Sequence, residues 1–118
     1  MAIITRNNTL RTIAKDVSLG LDFESELIDF NEMNVAFIQT VQGLAPDNLD
    51  GTFSLKVSLL CDEDSFTPYP DSERILNVNC NNFAWSFCCV PFRYARICYT
   101  ANSVTTGTVS IYARAKRT

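Results

Sequence analysis

Five cysteines are the strongest candidate nucleophiles in this 118-residue sequence: Cys61, Cys80, Cys88, Cys89 and Cys98. A catalytic cysteine needs a neighbouring base or cation that lowers the pKa of its thiol. The sequence contains no histidine, the usual base. Cys88 and Cys89 lie in the apolar run FAWSFCCVP, which favours protonated thiols. We therefore expect no catalytic cysteine and interpret the five thiols as unpaired, buried small hydrophobes in a reducing compartment.

Metal-binding and phosphate-binding patterns are missing or incomplete. The cysteines form no C-x-x-C pair, so we expect no zinc site. The segment PDNLDG fails as an EF-hand calcium loop, because aligning Asp50 with the fifth position puts Pro46 first and Val57 twelfth. An irregular calcium site in the acidic loops remains an alternative to solvated turns. The four glycines are isolated, which disfavours a phosphate-binding loop. We expect no cofactor and no enzymatic activity.

Charge is unevenly distributed along the chain. All thirteen acidic residues lie between Asp16 and Glu73, where Lys56 is the single base. Residues 1–15 and 74–118 carry the other nine bases and no acid. Two interpretations stay open. The fold interleaves these segments and neutralises them internally, which we favour, or it creates faces of opposite sign that dock neighbouring subunits.

Alternating apolar residues predict β-strands from Met33 onward. The clearest case is GTFSLKVSLL, where Phe53, Leu55, Val57 and Leu59 share one face. Seven or eight such strands at close spacing predict an all-β fold, an antiparallel β-sandwich or jelly roll. We expect residues 16–118 to form this single domain and residues 1–15 to form an N-terminal arm or edge strand.

Four local expectations follow from the same patterns. Met33, Val35 and Phe37 should share one face of a strand, opposite Asn34 and Thr40. Residues 24–30 could form one helical turn instead of a strand. The strand FAWSFCC should be buried on both faces, with Trp85 in the core. The strand FRYARICYTA should follow it as a β-hairpin.

The strand RYARICYT raises a problem because Arg93 and Arg96 would point to opposite faces. A buried guanidinium needs a carboxylate partner. We expect Arg93 to lie in solvent near the Pro91 turn and Arg96 to pair with an acid, within the chain or across a subunit boundary. These considerations predict an interface set: Arg6, Arg11, Arg93, Tyr94, Arg96, Tyr112, Arg114 and Lys116.

Three motifs in residues 51–118 resemble small β-sandwich virion proteins of bacterial viruses. They are Gly51-Thr52-Phe53 with Ser58, Tyr94-Ala95-Arg96-Ile97, and Gly107-Thr108-Val109 with Lys116-Arg117. The resemblance implies a self-associating virion structural protein, a capsid-decoration, vertex, spike-base or tail module. Its partners would be copies of itself and other virion proteins. The N-terminus lacks the apolar core of a signal peptide, so we expect synthesis in the host cytoplasm and a final location in the virion.

A carbohydrate- or receptor-binding jelly roll is the alternative function. A glycan would bind at an exposed Tyr69, Trp85 or Tyr112 beside Asp or Asn. The net charge of −3 disfavours nucleic acid as a partner. No segment reaches the roughly 18 apolar residues of a membrane span.

Overall fold

A computed structural model describes residues 2–43, 50–76, 82–102 and 107–118. Within these ranges the chain forms eleven strands and one short 3-10 helix at Glu63–Ser65. The strands are β1 (Ile3–Ile4), β2 (Thr9–Ser18), β3 (Phe23–Glu24), β4 (Ile28–Asp29), β5 (Val35–Gln42), β6 (Gly51–Ser58), β7 (Thr67–Pro68), β8 (Arg74–Ile75), β9 (Ala84–Phe87), β10 (Tyr94–Ala101) and β11 (Thr108–Lys116). The strand number exceeds the predicted seven or eight because five strands are only two residues long.

The strands form two sheets that pack as a sandwich, which confirms the predicted fold class. A seven-stranded sheet has the order β1-β4-β10-β6-β7, with β3 also on β10 and β8 also on β6. A four-stranded sheet has the order β2-β11-β5-β9. Every strand pair is antiparallel except β1 with β4.

The core lies between the two sheets and contains aromatic and aliphatic side chains from both. Trp85 is buried there, as predicted, and its indole nitrogen donates a hydrogen bond of 2.7 Å to the Ser72 carbonyl. The hydroxyl of buried Tyr99 donates to the Leu19 carbonyl, also at 2.7 Å. Both aromatic residues therefore contribute apolar area without leaving a buried polar atom unpaired.

The strands on either side of Pro91 do not form the predicted hairpin. β9 pairs with β5 in the four-stranded sheet, whereas β10 pairs with β6 in the other sheet. The chain crosses between the sheets at Pro91 and buried Phe92. Pro91 has no backbone N–H and so cannot donate a hydrogen bond to a neighbouring strand. The crossing also buries the apolar side chain of Phe92. The prediction that β9 is buried on both faces is also wrong, because Ala84 and Ser86 are exposed.

Val35 and Phe37 share one face of β5 opposite Thr40, as predicted, but this apolar face is the outer one. Ala36, Ile38 and Thr40 point into the core, and Phe37 is 44% exposed. A period of two specifies which side chains share a face but not which face is buried. Pairing with β11 decides this question, since Ile38 lies opposite buried Ala113 and Phe37 lies opposite exposed Arg114.

Residues 24–30 form no helical turn. β3 and β4 instead pair with β10, and the Phe23 ring stacks on Tyr99 with ring centroids 5.3 Å apart. Phe23, Ile28 and Phe30 bury more apolar area when their segment adds short strands beside β10 than they would in a solvated helical turn.

The first fifteen residues contribute edge strands to both sheets. β1 lies at one edge of the seven-stranded sheet, and β2 at one edge of the four-stranded sheet. The predicted boundary between residues 15 and 16 falls inside β2. In the described part of the chain, no helix is long and apolar enough to cross a membrane.

Candidate functional site

Arg96 points to the outer face of β10 and is held within the chain. Its guanidinium donates a 2.8 Å hydrogen bond to the Ser25 carbonyl and forms an ion pair with Glu63. The side chain is 19% exposed, because residues around Ser25 and Glu63 cover it. The expectation that Arg96 pairs with an acid is therefore confirmed, with Glu63 of the same chain as the partner.

Arg93 precedes β10 and is half-exposed near the Pro91 turn. It is not free in solvent, however, because its Nε donates to Asp29 Oδ1 at 3.2 Å. The hydrogen bond and the charge of Asp29 raise the pKa of Arg93. The guanidinium also lies 5.1 Å from the centre of the Tyr94 ring. Arg93 and Arg96 are thus each paired with an acid of the same chain, and they do not form an open basic patch.

Two further ion pairs join distant parts of the chain. Lys56 Nζ lies 2.9 Å from Glu24 Oε1, and an Arg117 nitrogen lies 2.6 Å from Glu32 Oε2. Each ion pair of the described residues links a base to an acid that is remote in sequence. Internal neutralisation therefore accounts for part of the charge asymmetry. The remaining bases form no ion pair among the described residues.

Most bases without an ion pair in the described residues lie at the four-stranded sheet; the exception is Arg74 of β8, which donates to the backbone carbonyls of Asp71 and Glu73. β2 and β11 carry Arg11, Lys15, Arg114 and Lys116, with Asp16 as the single acid in these two strands. Exposed Arg6 lies just before β2. Of the predicted interface set, the structure brings Tyr112, Arg114 and Lys116 together on the outer face of β11. Arg6 and Arg11 lie along the edge.

The outer face of this sheet places bases beside exposed apolar side chains. In the register of β11 and β5, Arg114 lies opposite Phe37 and Lys116 lies opposite Val35. Leu10 of β2 is 56% exposed at the same place. A groove of about 380 Å³ runs between these strands, and we call it the basic groove. Its lining includes Leu10, Val35, Phe37, Ser86, Arg114 and Lys116.

A third base lies farther along the same face. Lys15 Nζ donates a hydrogen bond of 3.4 Å to the Tyr112 hydroxyl, and Tyr112 lies opposite Gln39 on β5. No carboxylate faces Arg114, Tyr112 or Lys116 in the strand register. The positive charge of this face is therefore not neutralised by the strand next to it.

A second exposed surface follows β6 on the other sheet. Leu59 is 71% exposed and Leu60 is 62% exposed, and Asp62 and Asp64 follow them. We call residues 59–65 the acidic loop. It lies over the outer face of the seven-stranded sheet, because its Glu63 binds Arg96.

Internal hydrogen bonds hold the acidic loop in one shape. The Ser58 and Ser65 hydroxyls lie 2.6 Å apart, and the Ser58 hydroxyl also accepts from the Leu60 nitrogen at 2.9 Å. Asp62 caps the 3-10 helix by accepting from the Asp64 nitrogen at 3.2 Å. The exposed leucines are consequently presented by a braced turn rather than by a free chain.

Sequence reasoning missed the apolar members of both surfaces. Alternation places Phe37 and Leu59 on the apolar faces of their strands, and it gives no sign that Leu10 and Leu60 are exposed. Reading β5 with Ala36, Ile38 and Thr40 inside would have exposed Phe37. Nothing in the pattern of GTFSLKVSLL marks the point after Ser58 where β6 ends.

The cysteines are placed differently from the prediction. Cys61, Cys88 and Cys89 are exposed, and Cys98 is partly buried on the outer face of β10. The buried-hydrophobe interpretation is wrong for Cys61, Cys88 and Cys89, because β6 and β9 end before Cys61 and Cys88, and it holds in part for Cys98 within β10. Cys80 lies outside the described residues.

The described residues offer neither a metal cluster nor an exposed Trp85 for a glycan. No group of three or more His, Cys, Asp or Glu side chains lies close enough to hold a metal in the described ranges. Asp47 and Asn48, part of the alternative calcium site, lie outside those ranges. Trp85 is buried and cannot be the exposed aromatic of a glycan site.

No protein-family model matches the chain, and no curated protein sequence matches it. Among solved structures, the chain is similar to the SPBc2 prophage-derived protein YomS, with 12% identity, 89% of this chain and 88% of that chain covered, and a TM-score of 0.56. This likeness shows a shared fold.

Two looser matches are a tailspike protein 4 domain of bacteriophage CBA120 and CsCBM6-3 from Clostridium stercorarium, which was solved with cellobiose. The tailspike match has 15% identity, a TM-score of 0.42, and covers 91% of this chain and 19% of that one. The Clostridium match has 9% identity, a TM-score of 0.38, and covers 95% of this chain and 88% of that one. Both superpositions are too loose to carry an argument.

Proposed function

We propose that this chain is a structural protein of a bacteriophage particle that associates with copies of itself. The observation that carries the proposal is the basic groove, where exposed Leu10 and Phe37 lie beside Arg114 and Lys116, which form no ion pair with any described residue. Exposed apolar residues rimmed by charge mark interaction surfaces. A sheet face that only met water would have no need of Phe37.

The fold is compatible with this proposal and does not by itself establish it. A prophage-derived protein shares the two-sheet architecture over most of both chains. Because one fold can serve many functions, the argument depends on the surface rather than on that likeness. The resemblance of the motifs at Gly51, Tyr94 and Gly107 to virion proteins supports the same proposal.

In this role the chain acts by assembly and performs no reaction. It would be made in the host cytoplasm and end in the virion, as a capsid-decoration, vertex, spike-base or tail module. Copies of itself and other virion proteins are its partners. The sandwich core supplies the rigid body, and the basic groove supplies contact area.

The first test is the molar mass in solution over a wide concentration range, by light scattering after size exclusion. We expect a mass above that of one chain, 13.2 kDa. Mass spectrometry of purified particles should then detect the chain as a component. A monomer at every concentration, together with its absence from particles, would contradict the proposal.

Carbohydrate binding is the competing function, and Tyr112 is the feature that favours it. This half-exposed aromatic ring lies beside Gln39 and Lys15, an arrangement that suits a sugar ring. A glycan array compares the two functions directly. Saturable binding that Tyr112→Ala abolishes, by a chain that stays monomeric, would favour the carbohydrate-binding function.

A further inference from the structure

We infer that the acidic loop of one copy docks into the basic groove of a second copy. The inference rests on the proposed self-association and names the two surfaces that make it. The loop and the groove belong to different sheets, so two copies can make the contact without rearranging either sandwich.

The two surfaces are complementary in both apolar and charged groups. The groove offers Leu10 and Phe37 beside Arg114 and Lys116. The loop offers Leu59 and Leu60 beside Asp62 and Asp64. Leucines that meet Leu10 and Phe37 lose exposed apolar area, while the carboxylates reach the unpaired bases at the rim.

The groove is open to receive side chains, and the loop is held in a fixed conformation. The groove is a concave space of about 380 Å³ between β2, β11 and β5. The loop presents two neighbouring exposed leucines on a turn that is fixed by the Ser58 and Ser65 hydroxyls, and the same leucines line a hollow with Tyr69 and Phe92. Because the loop is already ordered in one copy, docking costs little additional conformational entropy.

Glu63, the third acid of the loop, does not take part in docking and instead holds the loop in place. Glu63 binds Arg96 inside the same chain. This ion pair anchors the loop to β10 and leaves Asp62 and Asp64 exposed on either side. The bases at the groove have no such internal partner in the described residues, so the unpaired charges of the two surfaces have opposite sign.

Two different patches in contact make a heterologous interface. Such an interface repeats from copy to copy, and it closes into a ring or continues as a filament. The loop covers the outer face of one sheet and the groove lies on the outer face of the other. Copies would therefore stack front to back, an arrangement that suits a repeating particle.

Single-stranded nucleic acid is the occupant that competes for a basic groove with an aromatic residue. The structure favours a second copy, because the groove floor is aliphatic as well as aromatic and the whole chain is acidic. A nucleic acid would also leave the exposed leucines of the loop unexplained.

The experiment uses two variants that each remove one half of the contact. The groove variant carries Arg114→Ala and Lys116→Ala, and the loop variant carries Asp62→Asn and Asp64→Asn. Either variant alone should weaken self-association about ten-fold or more. A control with Glu26→Gln and Glu73→Gln removes the same charge as the loop variant elsewhere and should associate like the unmodified chain.

Mixing the variants is the decisive step. The groove variant keeps an intact loop and the loop variant keeps an intact groove, so one good interface remains per pair. Light scattering should find a 1:1 heterodimer that grows no further. Variants that assemble like the unmodified chain would overturn the inference and leave self-association standing, whereas an unmodified chain that stays monomeric would overturn both.

Disulfide trapping provides a second readout that does not depend on weakened binding. Exposed Cys61 lies within the acidic loop, and exposed Ser86 lines the groove. In a chain with Cys88→Ser and Cys89→Ser, the change Ser86→Cys should allow oxidation to link successive copies into a ladder on a non-reducing gel. Adding Cys61→Ser should remove the ladder.

A fluorescently labelled single-stranded oligonucleotide tests the competing occupant. We expect no saturable binding at physiological salt. Saturable binding that the groove variant abolishes, together with unchanged self-association in that variant, would overturn the inference in favour of nucleic acid.

Discussion

At the scale of single residues, a cation is available for a partner only if the fold leaves it unpaired. Arg96 and Arg93 bind Glu63 and Asp29, so these bases serve the fold. Arg114 and Lys116 differ from them in position alone, since their strand neighbours Phe37 and Val35 carry no charge. The chemical type of a residue therefore does not decide its role.

Gly51 occupies a position where a side chain does not fit. A Cβ atom there would lie 2.3 Å from the Tyr99 hydroxyl and 2.6 Å from its ring. Tyr99 is buried and cannot move freely, because its ring packs on Phe23 and Phe53. We expect Gly51→Ala to lower the free energy of unfolding by about 1–3 kcal/mol, measured by urea denaturation.

The control for this prediction is Ser54→Ala on the same strand. Ser54 alternates with the core residues of β6 and is only partly buried. We expect a change within about 0.5 kcal/mol. An equal effect of both substitutions would mean that the contact with Tyr99 is not the cause.

Cys98 should be the slowest of the described thiols to react. Burial, and secondarily the charge of Glu24, raise the pKa of the Cys98 thiol above its ordinary value of 9.0, although Lys56 and Arg96 oppose this shift. The thiolate is the reactive form, so a raised pKa lowers its fraction at a given pH. Alkylation at mild alkaline pH, followed by mass spectrometry, should modify exposed Cys61, Cys88 and Cys89 first.

The same shift sets the direction of a pH effect on stability. Because the folded chain holds the Cys98 proton more tightly than the unfolded chain, the free energy of unfolding falls as pH rises above the ordinary thiol value. The variant Cys98→Ala should show a smaller fall over that range. An unchanged slope would contradict the assignment to Cys98.

At the scale of elements, the acidic loop shows how a segment outside the strands is held. Its 3-10 helix at Glu63–Ser65 is capped by Asp62 and tied to β10 through Arg96. Arg96 also binds the Ser25 carbonyl, so one side chain connects the loop, the segment after β3 and the sheet. The loop is consequently part of the seven-stranded layer.

Removing the ion pair should loosen the loop more than the whole molecule. We expect Glu63→Gln to speed amide hydrogen exchange across residues 59–65, because the charged link to Arg96 is weakened. The exposed position of Glu63 limits the loss in global stability to about 1 kcal/mol or less. The matched control is Glu73→Gln, an exposed acid outside the loop that forms no ion pair among the described residues and should leave exchange in the loop nearly unchanged.

Strand existence could be predicted more reliably than strand pairing. The alternation in GTFSLKVS and TVSIYARAK identifies β6 and β11 because every second side chain is apolar. The same pattern does not reveal that β9 and β10 enter different sheets. Pairing depends on long-range contacts, which leave no periodic mark on a single segment.

At the scale of the whole molecule, charge separates between the two layers. The strands of the four-stranded sheet hold four bases and one acid, whereas the acidic loop lies over the other sheet. Four ion pairs neutralise charge within the described chain and leave this imbalance. Internal neutralisation therefore applies to the paired residues, and the docking of neighbouring subunits by the remaining charges stays a prediction.

Self-association should weaken with salt. Raising the ionic strength from about 0.05 M to about 0.5 M shortens the Debye length several-fold and screens contacts between exposed charges. We expect a lower mean molar mass in light scattering at the higher salt, with some association retained through the apolar contacts. A mean mass that rises with salt would indicate an interface dominated by apolar area instead.

The sequence alone determined the class of the fold and the core position of Trp85, because alternation and composition are local properties. It also determined that bases occur in excess in the last third of the chain. Only the tertiary structure decided which bases are neutralised, which face of β5 meets water, and that Phe37 lies beside Arg114. Those outcomes depend on which distant strands become neighbours, and that is a property of the assembled sheets rather than of any one segment.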